Sequence, residues 1–446
     1  MEDFFNRIRP LLSDEDFEKF RNEYEKVPFR GVRVNTLKCS VESLRALTTG
    51  EGIGRSTPFC EEGFYLEEDA TFSGKHPLHH AGAVYFQEPS AMSAVSLLKP
   101  KAGERVLDLC AAPGGKSTQI ASALSGLGLL WCNEYVKSRS NILLSNIERC
   151  GVKNAVVSSC DPETLAKKLQ GFFDKVLVDA PCSGEGMFRK EEEALTDWSP
   201  EHSDSCGVRQ LKILESAKAM LRAGGELVYS TCTFSEAENE AVVREFLRNN
   251  PDFELVKTVE PFGMKGKDGI GVRIFPFHGG EGHFAVKLRK SETAEDYCIV
   301  DEEKLTTSKN IPKFVTEFFE NTFVDASGLS RALLQKDKLY ILPENCPDLK
   351  GAGVIRGGVF AGEIRKNYFE PSHALFMAED PQNIRNMVNL SLSDERLRQY
   401  LHGEEIAVDE DIKGFAAVAV EGVILGFGKA SNGRLKNKYP KGLRIM

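Results

Sequence analysis

Short apolar strands alternate with helical segments between Glu104 and about Lys290, and this alternation constrains the fold more than any other feature of the sequence. Strands are predicted at Arg105–Leu109, Leu129–Cys132, Ala155–Val157, Phe173–Val178 and Glu226–Tyr229, with helices at Ser117–Leu124 and Lys137–Cys150. Strands connected through helices form right-handed crossovers and a mostly parallel sheet. The sequence therefore predicts an α/β domain that binds ligands beyond the carboxyl ends of its strands.

The residues before this region have a different pattern. Between Asp3 and Glu25, Phe and Leu recur at helical spacing, and Arg33–Leu37 is predicted to be a strand. A chain of 446 residues is long enough for several domains. We therefore expect a small α+β domain at 1–95, followed by the α/β domain at 96–290.

The residues after the α/β domain are less periodic. A polar, charged stretch from Ser291 to Asn310 is typical of a linker, and strands are predicted at Leu339–Leu342 and Val418–Val420. We expect two further small domains, at 305–380 and 385–446.

Cysteine usage and the chain terminus bear on compartment. The 11 cysteines include no pair at Cys-x-x-Cys spacing, so no metal site is expected, and free thiols indicate a reducing compartment. No apolar run approaches the roughly 20 residues that cross a bilayer. Met1–Phe5 is acidic and lacks the features of a secretory signal. These observations predict a cytoplasmic protein without a membrane partner.

The charge of the chain is unevenly distributed. The net charge of −9 argues mildly against a nucleic-acid partner, because phosphate contacts normally come from Lys and Arg. From Lys429 to Met446, however, there are six basic side chains and no acidic one. An acidic protein can bind RNA through such a local basic face.

A loop rich in small residues, Asp108 to Ser117, follows the first predicted strand. A P-loop would need glycine at position 110, which is Cys110, and the Gly-x-Gly-x-x-Gly dinucleotide fingerprint is missing. Two readings remain: an ordinary strand-to-helix turn, or the S-adenosylmethionine loop of a Rossmann-like methyltransferase. In such a loop small residues let backbone amides approach the cofactor beside a helix N-terminus.

Three acidic residues, Glu134, Asp161 and Asp179, each come just after a predicted strand. Glu134 can accept hydrogen bonds from ribose hydroxyls, and Asp161 can accept one from the adenine amino group. Asp179 would face the reacting groups. Any one of them could instead be a solvated carboxylate or a helix cap.

Two cysteines lie at the ends of neighbouring predicted strands, on the same edge as the loop. Cys182 follows Asp179-Ala180-Pro181, and Cys232 follows Ser230-Thr231. A thiolate that adds to carbon-6 of cytosine activates carbon-5 for methylation, which is covalent catalysis. Lys116 could raise the thiolate fraction. The alternative is that both cysteines are buried packing residues.

The chain resembles the RsmF/Sun family of RNA 5-methylcytosine methyltransferases. The resemblance rests on Arg33–Lys38, Tyr85–Ser90, Asp108–Ser117, Asp179–Lys190 and Ser230-Thr231-Cys232. It implies S-adenosylmethionine as cofactor, Cys232 as the nucleophile and Cys182 as the group that helps release the product. The implied catalytic set is Cys232, Cys182, Asp179 and Lys116, and the implied cofactor contacts are Cys110, Ala111, Ala112, Pro113, Gly114, Gly115, Lys116, Glu134, Asp161 and Asp179.

Two segments, Glu185–Lys190 and Leu435–Arg444, resemble the RsmF branch most. That branch implies methylation of 16S ribosomal RNA near the decoding region, with the RNA or the small subunit as partner. It also implies an N-terminal RNA-binding domain, a catalytic domain, a small middle domain and a PUA-like RNA-binding domain. We expect a monomer. Transfer RNA methylation and a non-catalytic role in ribosome assembly are the alternatives.

Overall fold

The computed structural model describes residues 1–191, 195, 196, 198–258, 260–295, 298 and 311–445. Most of the linker expected at Ser291–Asn310 therefore lies outside the described residues. In the part of the chain that the structure describes, no helix has both the length and the apolar character needed to cross a membrane.

The N-terminal part of the chain forms a four-stranded antiparallel sheet with short helices around it. Its elements are α1 (Glu2–Ile8), α2 (Asp14–Glu23), β1 (Arg30–Val34), α3 (Val41–Leu47), β2 (Ile53–Ser56), β3 (Gly63–Leu66), α4 (Pro77–His80) and β4 (Val84–Phe86). The strands lie in the order β2-β3-β1-β4. The helical pattern of the first 25 residues is divided, because Pro10 lies in a 3₁₀ turn and the Ser13 side chain caps α2.

Strand β1 ends at Val34, so the prediction that it continues to Leu37 was wrong. The side-chain amide of Asn35 donates to the carbonyl oxygens of Gly82 and Cys150 at 2.8 and 2.9 Å, and its side-chain oxygen accepts from the amide of Leu37 at 3.2 Å. An Asn side chain that bonds to nearby backbone competes with strand pairing. Asn35 thereby ends the strand and ties this sheet to the domain that follows.

The central domain is built on the five predicted strands, which the structure confirms. Its elements are α5 (Ser93–Leu98), β5 (Arg105–Asp108), α6 (Gly115–Leu124), β6 (Leu129–Asn133), α7 (Lys137–Arg149), β7 (Ala155–Ser158), α8 (Pro162–Ala166), β8 (Phe173–Asp179), α9 (Pro200–Met220), β9 (Leu221–Thr231), α10 (Glu240–Asn249), β10 (Phe253–Leu255), β11 (Met264–Lys265), β12 (Val272–Ile274) and β13 (His283–Lys290).

The strand order of this sheet places its functional loops together. The order is β11-β12-β13-β9-β8-β5-β6-β7, and β5 to β9 pair in parallel while β13 is antiparallel to β9. β5 and β8 are neighbours although two strands separate them in sequence. Open parallel sheets bind ligands at such a switch point, beyond the carboxyl ends of the strands.

The C-terminal part of the chain contains two smaller sheets. Its elements are α11 (Lys313–Thr322), β14 (Ala332–Gln335), β15 (Lys338–Ile341), β16 (Val354–Gly357), β17 (Val359–Ile364), β18 (Phe369–Pro371), α12 (His373–Met377), β19 (Met387–Leu390), α13 (Glu395–His402), β20 (Ile406–Ala407), β21 (Gly414–Val420), β22 (Val423–Ser431) and β23 (Arg434–Asn437). The sheets have the orders β14-β15-β17-β18 and β19-β21-β22-β23-β20.

One strand from the C-terminal part of the chain, β16, joins the central sheet. β16 lies within 305–380, the segment expected to form a separate domain, yet it pairs antiparallel with β7 at the edge of the central sheet. An uncovered edge strand is an aggregation hazard, and this pairing covers it. The last sheet and the N-terminal sheet also share one hydrophobic core, to which Val34 and Leu78 contribute from one side and Leu425 and Tyr439 from the other.

Candidate active site

Three turns meet at the carboxyl edge of the central sheet. β8 pairs with β5 on one side and with β9 on the other, so that Asp108 lies beside Leu177, and Asp179 beside Ser230. The turn after β5 is the predicted cofactor loop, and the turns after β8 and β9 carry the two cysteines. The sheet thus brings together the predicted catalytic residues.

Two glycines of the cofactor loop, Gly114 and Gly115, lie where a larger residue would be strained or crowded. Gly114 has φ 114°, a conformation that L side chains rarely adopt, and it is the N-cap of α6. A Cβ at Gly115 would lie 3.2 Å from the ring of Tyr85. Gly114 and Gly115 add no side chain at the N-terminus of α6, and the first amides of a helix suit the carboxylate of a ligand.

Asp108 also lies at this site, although it was not among the predicted site residues. Its side chain is fully buried and accepts a hydrogen bond from the Ser117 hydroxyl at 2.7 Å. Its other oxygen has no hydrogen-bond partner among the described residues. Burial raises the pKa of Asp108 to about 7. A buried acceptor left open beside the small-residue loop fits a ligand that brings a polar hydrogen, as S-adenosylmethionine does.

Glu134 and Asp161 differ in their surroundings. Glu134 is 5% exposed; one of its oxygens accepts from the amide of Val136 at 2.9 Å and the other lies 3.6 Å from Arg139. Asp161 is exposed and caps α8, accepting from the amide and hydroxyl of Thr164 at 3.0 and 3.2 Å. The helix cap considered as an alternative for Asp161 is therefore present, whereas Glu134 is buried and oriented by Val136 and Arg139.

Asp179 is the centre of a partly buried polar cluster. It pairs with the Lys116 ammonium group at 2.8 Å and accepts from the Ser230 hydroxyl at 2.8 Å. Burial alone would raise the pKa of Asp179, but the charge of Lys116, the nearby His283 and the hydrogen bonds from Lys116 and Ser230 together lower it. Asp179 is consequently a stable carboxylate rather than a proton donor.

His283 is a second residue that sequence analysis missed. It is 2% exposed, and its Nε2 lies 3.7 Å from a carboxylate oxygen of Asp179. Neither ring nitrogen has a hydrogen-bond partner among the described residues. Burial, followed by the charge of Lys116, lowers the pKa of His283 to about 4, so the ring is neutral at physiological pH. The local sequence around His283 contains no motif that predicts its place in the site, because β13 returns to this edge of the sheet from far along the chain.

The two cysteines are in direct contact. The Sγ atoms of Cys182 and Cys232 are 3.2 Å apart, and both residues are half-buried. The pKa of Cys182 is raised well above its ordinary value, first by its hydrogen bond with Cys232 and then by burial. Lys116 interacts electrostatically with Cys232, although Asp179 shares its charge. Two adjacent thiols in unequal electrostatic surroundings can take different chemical roles.

Family profiles match successive parts of the chain. Residues 1–89 match the N-terminal domain of 16S rRNA methyltransferase RsmF, and 95–289 match 16S rRNA methyltransferase RsmB/F. Residues 317–378 match the RsmF rRNA methyltransferase first C-terminal domain, and 388–445 match the methyltransferase RsmF PUA domain.

Individual relatives give the same result. The ribosomal RNA small subunit methyltransferase F of Vibrio vulnificus is 32% identical over 99% of this chain and 97% of its own length. The solved structure of a methyltransferase homolog from Pyrococcus horikoshii is 30% identical, with a TM-score of 0.55, over 64% of this chain and 93% of that one. NSun6 from Pyrococcus horikoshii shares the fold at 23% identity and a TM-score of 0.58, over 65% of this chain and 98% of that one.

The position of Glu134 leads to a prediction about cofactor affinity. Glu134→Ala should weaken binding of S-adenosylmethionine by about ten- to a hundredfold, because charge-assisted hydrogen bonds to the ribose are worth about 1.5–3 kcal/mol. Isothermal titration calorimetry measures this directly. Glu163→Ala, which removes an exposed carboxylate on α8, is the matched control and should bind normally. Unchanged affinity in Glu134→Ala would remove Glu134 from the cofactor site.

Proposed function

The chain belongs to the RsmB/F family of 16S rRNA methyltransferases, and we propose that it methylates carbon-5 of a cytosine near the decoding region of 16S rRNA through a covalent bond to Cys232. S-adenosylmethionine is the methyl donor in this family. The observation that carries the proposal is the 3.2 Å contact between Cys182 and Cys232 at the sheet edge that also bears the cofactor loop. Methylation of an exocyclic amine would need no such pair of thiols.

The chemistry requires that the base be activated first, because carbon-5 of cytosine is a weak nucleophile. The thiolate of Cys232 adds to carbon-6, and the electron pair of the 5,6 double bond moves to carbon-5. Bound S-adenosylmethionine supplies the electrophilic methyl group that carbon-5 takes. A general base then takes the carbon-5 proton, and the electron pair of that carbon–hydrogen bond re-forms the 5,6 double bond. Cys232 leaves carbon-6 as a thiolate with the help of Cys182.

The unequal surroundings of the two sulfur atoms support this division of roles. Lys116 acts electrostatically on Cys232, whereas the raised pKa of Cys182 keeps that residue as a thiol. Lys116 and the neutral His283 flank Asp179, which stays ionised and can accept a hydrogen bond from the base. The target cytosine must leave its stack to reach this edge, which costs a few kcal/mol.

The function is tested on cellular RNA. Bisulfite sequencing of 16S rRNA should find a 5-methylcytosine near the decoding region that disappears when the gene is deleted and returns when it is restored. Transfer RNA from the same cells serves as the comparison. Loss of methylation in transfer RNA alone would contradict the proposed substrate, and no loss in either RNA would contradict the proposed activity.

The roles of the cysteines should separate under mutation. Cys232→Ala removes the attacking thiolate, so turnover should vanish and no covalent complex with RNA should form. Cys182→Ala leaves the attack intact but impairs release, so the enzyme should accumulate as a covalent RNA complex. Denaturing gel electrophoresis detects this complex as a slowly migrating band, which should need S-adenosylmethionine if trapping follows methyl transfer.

The double variant is the control for this experiment and should form no complex. Each substitution removes one sulfur atom at a neighbouring strand end, so general unfolding would not produce opposite outcomes. If Cys232→Ala forms the complex and Cys182→Ala does not, the nucleophile is Cys182. Two inactive proteins without a complex would indicate a structural role for both.

The basic C-terminal segment supports RNA as the partner, although the fold compensates part of its charge. Arg434 pairs with Glu405 at 2.9 Å, and Lys438 with Glu370 at 3.4 Å. Lys429 and Lys436 are exposed and lie opposite each other on β22 and β23, and Lys441 is exposed just beyond. Among the exposed basic residues of this segment, these three lysines have no carboxylate partner within the described residues, although the Lys429 ammonium group lies 5.5 Å from the centroid of the Phe415 ring. We refer to the three lysines as the basic face.

Neutralising this face should weaken RNA binding. The triple variant Lys429→Gln, Lys436→Gln and Lys441→Gln should lower RNA affinity. It should also flatten the slope of log K against log salt by about 2, since each contact with a single strand contributes about 0.7. Filter binding at several salt concentrations measures both effects. Lys167→Gln, which removes an exposed charge immediately after α8, is the control. An unchanged slope in the triple variant would exclude the segment as an RNA contact.

A further inference from the structure

A buried carboxylate, Glu238, lies behind the two cysteine turns and is 0% exposed. One oxygen accepts from the backbone amide of Ser183 at 2.9 Å and from the side-chain amide of Gln210 at 3.0 Å. The other accepts from the hydroxyls of Ser183 and Ser203 at 2.5 and 2.7 Å. These donors are uncharged, so they stabilise the negative charge without cancelling it.

These hydrogen bonds enclose Cys182 on both sides. Gln210 donates not only to Glu238 but also to the carbonyl oxygen of Pro181 at 3.1 Å, while Ser183 is bound directly. The hydroxyl of Tyr229, on β9, donates to the backbone carbonyl of Glu238 at 2.6 Å and fixes its position. Ser183, after Cys182, is therefore held by the carboxylate directly, and Pro181, before it, is held through Gln210.

The same network reaches the turn that carries Cys232. The hydroxyls of Ser183 and Thr233 are hydrogen-bonded at 2.9 Å, and Thr233 directly follows Cys232. Hydrogen bonds that converge on Glu238 thus link the two turns whose sulfur atoms are 3.2 Å apart.

The charges that face the two sulfur atoms have opposite signs. The groups that act on Cys182 are Cys232 and Glu238, with the neutral hydroxyl of Tyr229 nearby. On the other side, Cys232 interacts with the ammonium group of Lys116, which Asp179 partly balances. The pKa of Cys182 is raised first by the hydrogen bond with Cys232, then by burial, and further by the charges on Cys232 and Glu238.

We propose that Glu238 is a positioning residue for this pair of thiols: it encloses the turn that carries Cys182 and keeps Cys182 protonated, with its S–H directed at the Sγ of Cys232. The inference rests on the proposed covalent mechanism, in which Cys232 departs as a thiolate. A thiol 3.2 Å away donates a hydrogen bond to that leaving thiolate. A second thiolate in its place would repel it.

The ionisation of Cys182 can be measured directly in the full-length protein. Cys232→Ala serves as the background, so that the second sulfur atom is removed. The rate of alkylation of Cys182 by iodoacetamide is followed against pH by mass spectrometry of the peptide that contains it. Glu238→Gln should move the midpoint of this profile down by about one pH unit, because a neighbouring like charge is removed.

Ser183→Ala is the matched control in the same background. It removes a hydroxyl contact to Glu238 but keeps the charge, so the midpoint should stay where it is. An unchanged midpoint in Glu238→Gln, with the melting temperature of the background protein, would overturn the proposal. If Glu238→Gln does not fold, Glu238→Asp decides in the protein with both cysteines, because it keeps a carboxylate but shortens the side chain by one methylene: a lower kcat with accumulated covalent complex supports the proposal, and an unchanged kcat without the complex overturns it.

A second readout uses the catalytic cycle. With both cysteines present, Glu238→Gln should lower kcat about tenfold, leave the KM for RNA unchanged and accumulate the covalent complex. Combined with Cys182→Ala, Glu238→Gln should change neither kcat nor the amount of covalent complex any further. Because the alkylation profile needs no RNA, a protein without methyltransferase activity would contradict the proposed function while the profile still decides the role of Glu238.

Discussion

The parallel pairing of β8 with β5 on one side and β9 on the other is the interaction on which the site depends. It places the turns after these three strands side by side, although they are separated by long helices in sequence. The cofactor loop follows the first strand, and the two cysteine turns follow the others. A shift of register by one residue would turn every side chain at this edge to the opposite face, so the buried apolar residues of the strands also fix the chemistry.

Charged groups can be buried at this edge of the sheet only because hydrogen bonds and ion pairs offset the free-energy cost of removing them from water. Lys116 and Asp179 are an ion pair at 2.8 Å, and Glu238 receives uncharged donors. A buried charge without partners would cost several kcal/mol or be neutralised. The two arrangements act differently on the cysteines: the ion pair places the Lys116 ammonium group near Cys232, while Glu238 contributes to the raised pKa of Cys182. The two sulfur atoms, 3.2 Å apart, therefore lie in different electrostatic surroundings.

The sequence predicts the parts of the site that follow strands directly. The strand pattern, the small-residue loop, Asp179 and both cysteines were recognised because each follows an apolar run at the same edge. His283 and Glu238 were not, because they reach the site through antiparallel return and long-range hydrogen bonds that leave no local periodicity. The pairing of β16 with β7 was not predicted for the same reason, because β7 lies about two hundred residues earlier in the chain. Contacts of this kind are set by the packed fold rather than by local patterning.

The N-terminal domain contacts α6, the helix that follows the predicted cofactor loop, directly. Arg33 is 1% exposed and donates to the carbonyl oxygen of Gly115 and the hydroxyl of Thr118 at 3.1 and 2.8 Å. Both acceptors lie in the first turns of α6. The same N-terminal sheet shares its core with the last domain, which carries the basic face. Methyl transfer requires reacting atoms to be held within a few tenths of an ångström of a productive geometry. Buried contacts of Arg33 and the shared core hold the N-terminal domain, α6 and the last domain together, and such contacts fix relative positions more closely than a flexible linker does.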